Sequence, residues 1–469
     1  MSRYLKKIFI YLISLIVLIF FILTIINTKN NLDVKSNQIE FLENSLNKKK
    51  SQIKNIHTKL ISKNINLEDL VFSEGINFVK SSDKNLKIYS KQFILSEYSS
   101  DDIIFAKHPS ASSSAYLEKY MDNIFLITAT GQITFSDIQN LETEKFKMKS
   151  IKSNMKEIIN YSDFYTSSPF GIKDVLIDDD KIYISYVNEL KKDCFNTSIL
   201  AADINYEFLK FYKFFTKDEC IKKNDKFFEA NKNDKLVPHQ AGGRMISINN
   251  NIIFTVGEYR LRILAQDENS YFGKIISINK QSGLYKILSK GHRNPQGLYF
   301  NKQTNQLFST EHGPNGGDEI NVINLNNEEK ILNYGWPIAS YGNHYFEEKN
   351  DNRLDLSPLK KSHVENGFIE PIKYFVPSVG ISQIIGMPND FFETKSQYFI
   401  VGTMGTAKKL KEGMLSLYVF EYDENDTKIV KDILIPIKSR VRDIIYLSKE
   451  KLVIMFLETN STIGILKKG

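Results

Sequence analysis

Residues 295–313 read PQGLYFNKQTNQLFSTEHG: a first apolar-alternating strand, a polar turn, and a second apolar strand. Three other stretches can be laid over it: GIKDVLIDDDKIYISYVNE (171–189), GGRMISINNNIIFTVGE (242–258) and VRDIIYLSKEKLVIMFLE (441–458). In each, a turn rich in Asp, Asn or Lys separates two runs with strand periodicity. Hairpins of one shape, recurring at about 50 residues or multiples of it, mark the blades of a propeller. A β-sandwich needs fewer strands, and a parallel α/β sheet needs intervening helices that the pattern lacks. The expectation is an all-β fold, a six-bladed β-propeller over residues 80–466.

A propeller gathers its ligands where equivalent strands converge on the central channel. The residues at the start of the shared hairpin are therefore neighbours in space. They include His239 and Arg244, then Arg293 and Asn294, then Arg440 and Arg442. An arginine alone is more often a surface ion pair, but equivalent placement in different blades argues for one anionic, planar or sugar-like ligand. The third hairpin runs on into EHGPNGGDEINVI (311–323). Glycine and proline there exclude a helix and impose an unusual backbone path. A metal, a nucleotide or no ligand at all could lie against it.

The flanking sequence sets the context. The chain has 469 residues, 42% hydrophobic and 25% charged, which is ordinary for a folded protein. Its net charge of +7 comes without a dense basic stripe, so no nucleic-acid partner is expected. Residues 8–26, IFIYLISLIVLIFFILTII, carry no charge and are long enough to cross a bilayer as a helix. No Ala-x-Ala site follows, so an uncleaved anchor is expected rather than a signal peptide. Arg3, Lys6 and Lys7 place the N-terminus (1–7) in the cytoplasm and the rest outside the cytoplasmic membrane, in a periplasmic or extracellular space. Over 28–66, Leu32, Ile39, Leu42, Leu46, Ile53, Ile56 and Leu60 share one heptad frame, broken by Lys35, Lys49 and Lys63. That predicts a helical stem, either single or paired in a homodimer. Cys194 and Cys220 flank one polar stretch in a chain facing an oxidising compartment, which suggests a disulfide, with two buried thiols as the alternative.

GHRNPQGLYF (291–300), EHGPNGGDEIN (311–321) and NYGWP (333–337), in that order, resemble the glucose/sorbosone dehydrogenase family. HQAGGRM (239–245) and RVRDII (440–445) match two further blocks, so the likeness covers about 160–460. The family consists of six-bladed quinoproteins, and the resemblance implies the cofactor pyrroloquinoline quinone held with Ca²⁺. By the same resemblance, the Gly313 and Pro314 carbonyls are calcium ligands with Asp318 nearby, and Glu319 a less definite neighbour. Arg293, Asn294, Arg440 and Arg442 then bind the quinone. His239 is the general base that takes the proton from a sugar's anomeric hydroxyl. An imidazole with a pKa near 6.5 suits that role.

Three departures from the family pattern stand out. Pro169 lies at about the place of a usual Gln, Gly405 at that of a usual Lys (with Lys408 or Lys409 as substitutes), and HQAGGR has one residue more than the common HFGGR. Gly316 to Glu319 also spell the GGDE of cyclic-dinucleotide synthases, but Ile-Asn and β-type text follow here. The expected function is an anchored sugar dehydrogenase acting on aldoses at C1 and passing electrons to an unidentified acceptor. The alternatives are a propeller that binds sugar or glycan without turnover, and a scaffold built on the stem.

Overall fold

The computed structural model describes residues 75–102, 113–159, 171–222, 240–326, 330–344, 355–405 and 410–469. The predicted anchor and stem lie outside these residues, as do His239, Pro169, Lys408 and Lys409. Among the described residues, no helix is long and apolar enough to cross a membrane. The fold is all-β and propeller-like. Its α-helices, among the described residues, are the single turns Met155–Ile158 and Asn389–Phe392.

The four quoted hairpins all form. They pair Ile172–Asp178 with Lys181–Lys191, Gly242–Ile248 with Asn251–Val256, Pro295–Asn301 with Gln306–Glu311, and Val441–Leu447 with Leu452–Leu457. Two further hairpins of the same kind, Ala115–Tyr120 with Asn123–Thr128 and Ile381–Met387 with Gln397–Thr403, were not legible as copies. The turn chemistry explains why hairpins form at all. Asp178 pairs with Lys181, leaving a two-residue loop in which Asp179 and Asp180 have φ of 47° and 56°. Aspartate tolerates this left-handed backbone better than most side chains do.

The first strands of these six hairpins form a ring in chain order, each packed on the next and the last on the first. From each, mainly antiparallel strands extend as a sheet, those of the first and last ring strands being joined in one ten-stranded sheet. The chain ends close the ring: Lys91–Ser99 pairs antiparallel with Thr462–Lys468, so an N-terminal strand completes the last sheet. Ile76–Ile88 then pairs with both Lys91–Ser99 and Lys145–Ser153, tying the last sheet to the first. Neighbouring sheets stack face to face, which buries both faces of their middle strands. Leu452–Leu457 (LVIMFL) is accordingly buried at every position. Phe125 and Ile127 of one sheet pack with Ile182, Ile184 and Leu200 of the next. Each such side chain, fully buried, contributes about 1.5–3 kcal/mol.

The predicted disulfide is present. Cys194 and Cys220 are bridged with their Cα atoms 5.3 Å apart, beside the pairing of Lys222 with Cys194.

Candidate active site

The site residues come together because they sit at the starts of the ring strands or in the loops just before them. Arg293 is buried. Its Nη1 donates to the carbonyls of His312 (2.9 Å) and Gly313 (2.6 Å), and its backbone N–H donates to Glu311 Oε2 at 2.8 Å. Its guanidinium carbon lies 5.3 Å from the centre of the Trp336 ring, which Arg262 also approaches, at 5.1 Å. Gln240, the chain neighbour of His239, accepts from Arg293 Nη2 at 2.6 Å and donates to Glu258 once its amide is turned to satisfy both.

Asn294 Oδ1 accepts from Gly242 N (3.1 Å) and from Gln296 Nε2 (2.9 Å). Gln296 Oε1 in turn accepts from Arg442 Nη1 at 3.3 Å. Arg442 and Arg440 share one carboxylate: Glu458 accepts from Arg442 Nε at 2.6 Å and from Arg440 Nε at 2.8 Å. Arg440 also donates to the Gly405 carbonyl. A chain of contacts thus runs from Asn294 through Gln296 and Arg442 to Arg440, with the Arg293 cluster one residue away from Asn294. All four residues expected to hold a quinone share one pole. Neither Gln296 nor Glu458, which link them, was visible as a site residue in the sequence. Gln296 could have been found by its place in the repeat, one residue into its ring strand as Arg442 is in its own.

Gly405 stands where a lysine was expected, and the structure has no room for one. Its φ is +83°, and a Cβ there would lie 2.5 Å from the Met414 side chain.

Arg244 does not face a ligand, contrary to its placement with the other channel arginines. Its Nη1 donates to Asp174 Oδ1 (2.7 Å) and Asp443 Oδ1 (2.8 Å), and its Nε to the Gln296 carbonyl (3.1 Å). Asp174 also accepts from Met245 N, and Asp443 from Leu117 N. This buried cluster braces five of the six ring strands, so Arg244 is neutralised and structural.

The loop 313–318 is held by its own acid. Asp318 Oδ1 accepts from Gly313 N (3.1 Å), and Oδ2 from Gly380 N (2.7 Å) and Ile381 N (3.2 Å). Both carboxylate oxygens face backbone N–H groups, so the role observed for Asp318 is to shape the loop. Among the described residues, the Pro314 carbonyl accepts a long bond from Ser378 Oγ, at 3.4 Å. Glu319 has Asn321 Nδ2 at 3.4 Å and His363 Nε2 at 3.5 Å. Burial, then the charge of Glu311, pushes its carboxyl well above the usual range. His312, partly buried, has its pKa pushed down to about 4 by burial; Asp318 opposes this, while Arg293, Arg442 and Arg440 add to it. It is a neutral imidazole at neutral pH.

Glu118, on the ring strand Ala115–Tyr120, lies near Asp174 and Asp443. Burial pushes its carboxyl up to about 8; the N–H of Lys119 opposes, the two aspartates add, and Arg244 opposes. A carboxyl whose folded pKa exceeds its unfolded value of about 4.3 favours folding below that value, and this contribution is lost as pH rises through about 8. Glu118→Gln should therefore raise stability relative to the wild type at pH 8 and leave it nearly unchanged at pH 4. Urea titrations at the two pH values check this, and an equal effect at both would refute the assignment.

Fold and site together define a propeller-like protein with an arginine-lined pole suited to a flat polyanion. The family model described as Glucose / Sorbosone dehydrogenase matches residues 134–465, more than half of the chain. The chain belongs to that family. Aldose sugar dehydrogenase YliI of Escherichia coli (strain K12) is 32% identical over 177 residues, covering 35% of this chain and 44% of the relative. Quinoprotein glucose dehydrogenase B of Acinetobacter calcoaceticus is 32% identical over 134 residues, covering 22% and 27%. The matched stretch spans less than half the length of these relatives. Among solved structures, a glucose dehydrogenase superposes with a TM-score of 0.57 at 18% identity, over 77% of this chain and 97% of the other. The soluble aldose sugar dehydrogenase from Escherichia coli, in its apo form, gives 0.55 at 18% identity, over 80% and 99%. These likenesses establish the fold.

Proposed function

We propose that the protein is a quinone-dependent oxidoreductase that oxidises aldose sugars at C1. The observation that carries this reading is the gathering of Arg293, Asn294, Arg440 and Arg442 at one pole in a chain of this family. The donor set fits pyrroloquinoline quinone: guanidinium forks match the carboxylates of a flat polyanion. When bound, the quinone supplies the two-electron acceptor that side chains lack. Arg293, over the Trp336 ring, would orient it, and Arg442 and Arg440, held by Glu458, would bind its charge. His239 is the proposed general base, its imidazole taking the proton of the C1 hydroxyl. Support for this reading comes from the next residue, Gln240, which lies against Arg293. In this reading the six ring strands are the inner strands of six blades, residues 8–26 anchor the chain, and the propeller faces outward. A C-terminal reporter active only in the cytoplasm would overturn that topology.

The test of activity is reconstitution of the full-length protein with quinone and Ca²⁺, followed by dye reduction over a panel of aldoses. Turnover is expected. No reduction with any sugar would favour the second reading, a sugar-binding propeller without catalysis, to which the closed space at Gly405 lends weight.

Calcium fits only together with the quinone. Ca²⁺ takes six to eight oxygen ligands. The loop offers the Gly313 and Pro314 carbonyls, and the first already accepts from Arg293. Calorimetric titration should therefore give a Kd of about 10⁻³ M or weaker for Ca²⁺ on the protein alone, and much tighter binding once quinone is added. Tight binding without quinone would contradict this.

A further inference from the structure

Five of the six ring strands slip register by one residue near their start, while Ala115–Tyr120 pairs without a shift. In three of them a single residue stands between the paired ones: Lys173 between Ile172 and Asp174, Gln296 between Pro295 and Gly297, and Arg442 between Val441 and Asp443. Such a bulged residue leaves the ladder, and its side chain is re-aimed. The three stand on alternate strands of the ring, so they face one another around the channel. Two of them meet, Arg442 Nη1 donating to Gln296 Oε1. The strand next to Lys173 leaves space for it, because a Cβ on Gly243 would lie 2.3 Å from the Lys173 Cβ.

We infer that Lys173, placed by the shared bulge on the same channel as Arg442 and Gln296, is a ligand-binding cation whose ammonium takes a carboxylate of the quinone. The inference rests on the quinone reading above. Among the described residues, no side chain is hydrogen-bonded to the Lys173 ammonium, whose charged neighbours are Arg442 and Glu458. Burial pushes its pKa down to about 7, with Arg442 adding and Glu458 opposing. Lys173 is half-buried, so water can reach its ammonium in the unliganded protein, and a carboxylate taking that place would offset the repulsion from Arg442.

The test uses the full-length protein titrated with pyrroloquinoline quinone. The quench of Trp336, the only tryptophan of the chain and a neighbour of Arg293, is the readout. Lys173→Met should weaken quinone affinity by about 10- to 100-fold, the loss of one charge-assisted contact. Lys173→Arg should recover most of it, and the melting temperature of unliganded Lys173→Met should equal or exceed that of the wild type. Reductive methylation read by mass spectrometry gives a second measure that needs no variant: Lys173 should be modified in the unliganded protein and protected by quinone. If Lys173→Met binds within twofold of the wild type, or quinone leaves Lys173 labelling unchanged, this assignment fails and the quinone reading stands. A lowered melting temperature with no rescue by Lys173→Arg would make Lys173 a structural residue and overturn it equally. A wild type that binds no quinone sinks both.

Discussion

Arg244→Leu is expected to lower the stability of the propeller by about 3–5 kcal/mol, the usual cost of stripping one partner from a buried charge cluster. Arg244 is 5% exposed, and Asp174 and Asp443, which it joins, are 2% and 1%. Removing it leaves two buried carboxylates without a counter-charge, on strands far apart in the sequence. Lost packing over Tyr116, whose ring centre lies 5.5 Å from the guanidinium carbon, adds to the cost. The variant Arg244→Leu with Asp174→Asn and Asp443→Asn should recover much of the loss. Both asparagines can still accept from the Met245 and Leu117 N–H groups, and no charge is left unpaired. Guanidinium chloride titration reads both variants. A single-variant loss below about 1 kcal/mol would mean that the cluster is not the brace described here.

His239→Gln should reduce turnover of the quinone-loaded enzyme by about 10² to 10⁴, the share that a general base contributes. Quinone affinity should stay within a few-fold of the wild type, because the lost step is proton removal from the sugar and not cofactor binding. Arg293→Met should behave differently. A guanidinium that binds the quinone acts in the ground state as well as the transition state, so the variant should lose cofactor affinity first. The structure adds a second consequence: Arg293 also holds the His312 and Gly313 carbonyls, so its loss should loosen the 311–318 loop. Steady-state dye reduction alongside quinone titration separates the two phenotypes. Full turnover in His239→Gln would remove that residue from the mechanism.

Each hairpin is a local object, and for that reason it could be read from a single sequence. Alternating apolar positions around Asp179 and Asp180, or around Asn249, encode two strands and a turn within about 18 residues, with no help from the rest of the chain. The same locality made Arg293, Asn294, Arg440 and Arg442 visible as a group: their places at the head of repeated hairpins are sequence facts, and convergence of equivalent strands follows from the repeat. The pairing of Cys194 with Cys220 was legible for a similar reason, since a chain with two cysteines offers each a single partner. The bulges were not visible, because a one-residue slip depends on what the neighbouring strand offers and leaves the apolar pattern almost unchanged. Nor could the chain order tell Arg244 from Arg442. Both lie on ring strands, yet Arg244 meets Asp174 and Asp443 from strands about 70 and 200 residues away, while Arg442 shares Glu458 and reaches Gln296. Residue type and spacing determined that charges would meet in a channel. Only the closed ring decided which of them neutralise one another and which, like Lys173, are left facing the place where a ligand would lie.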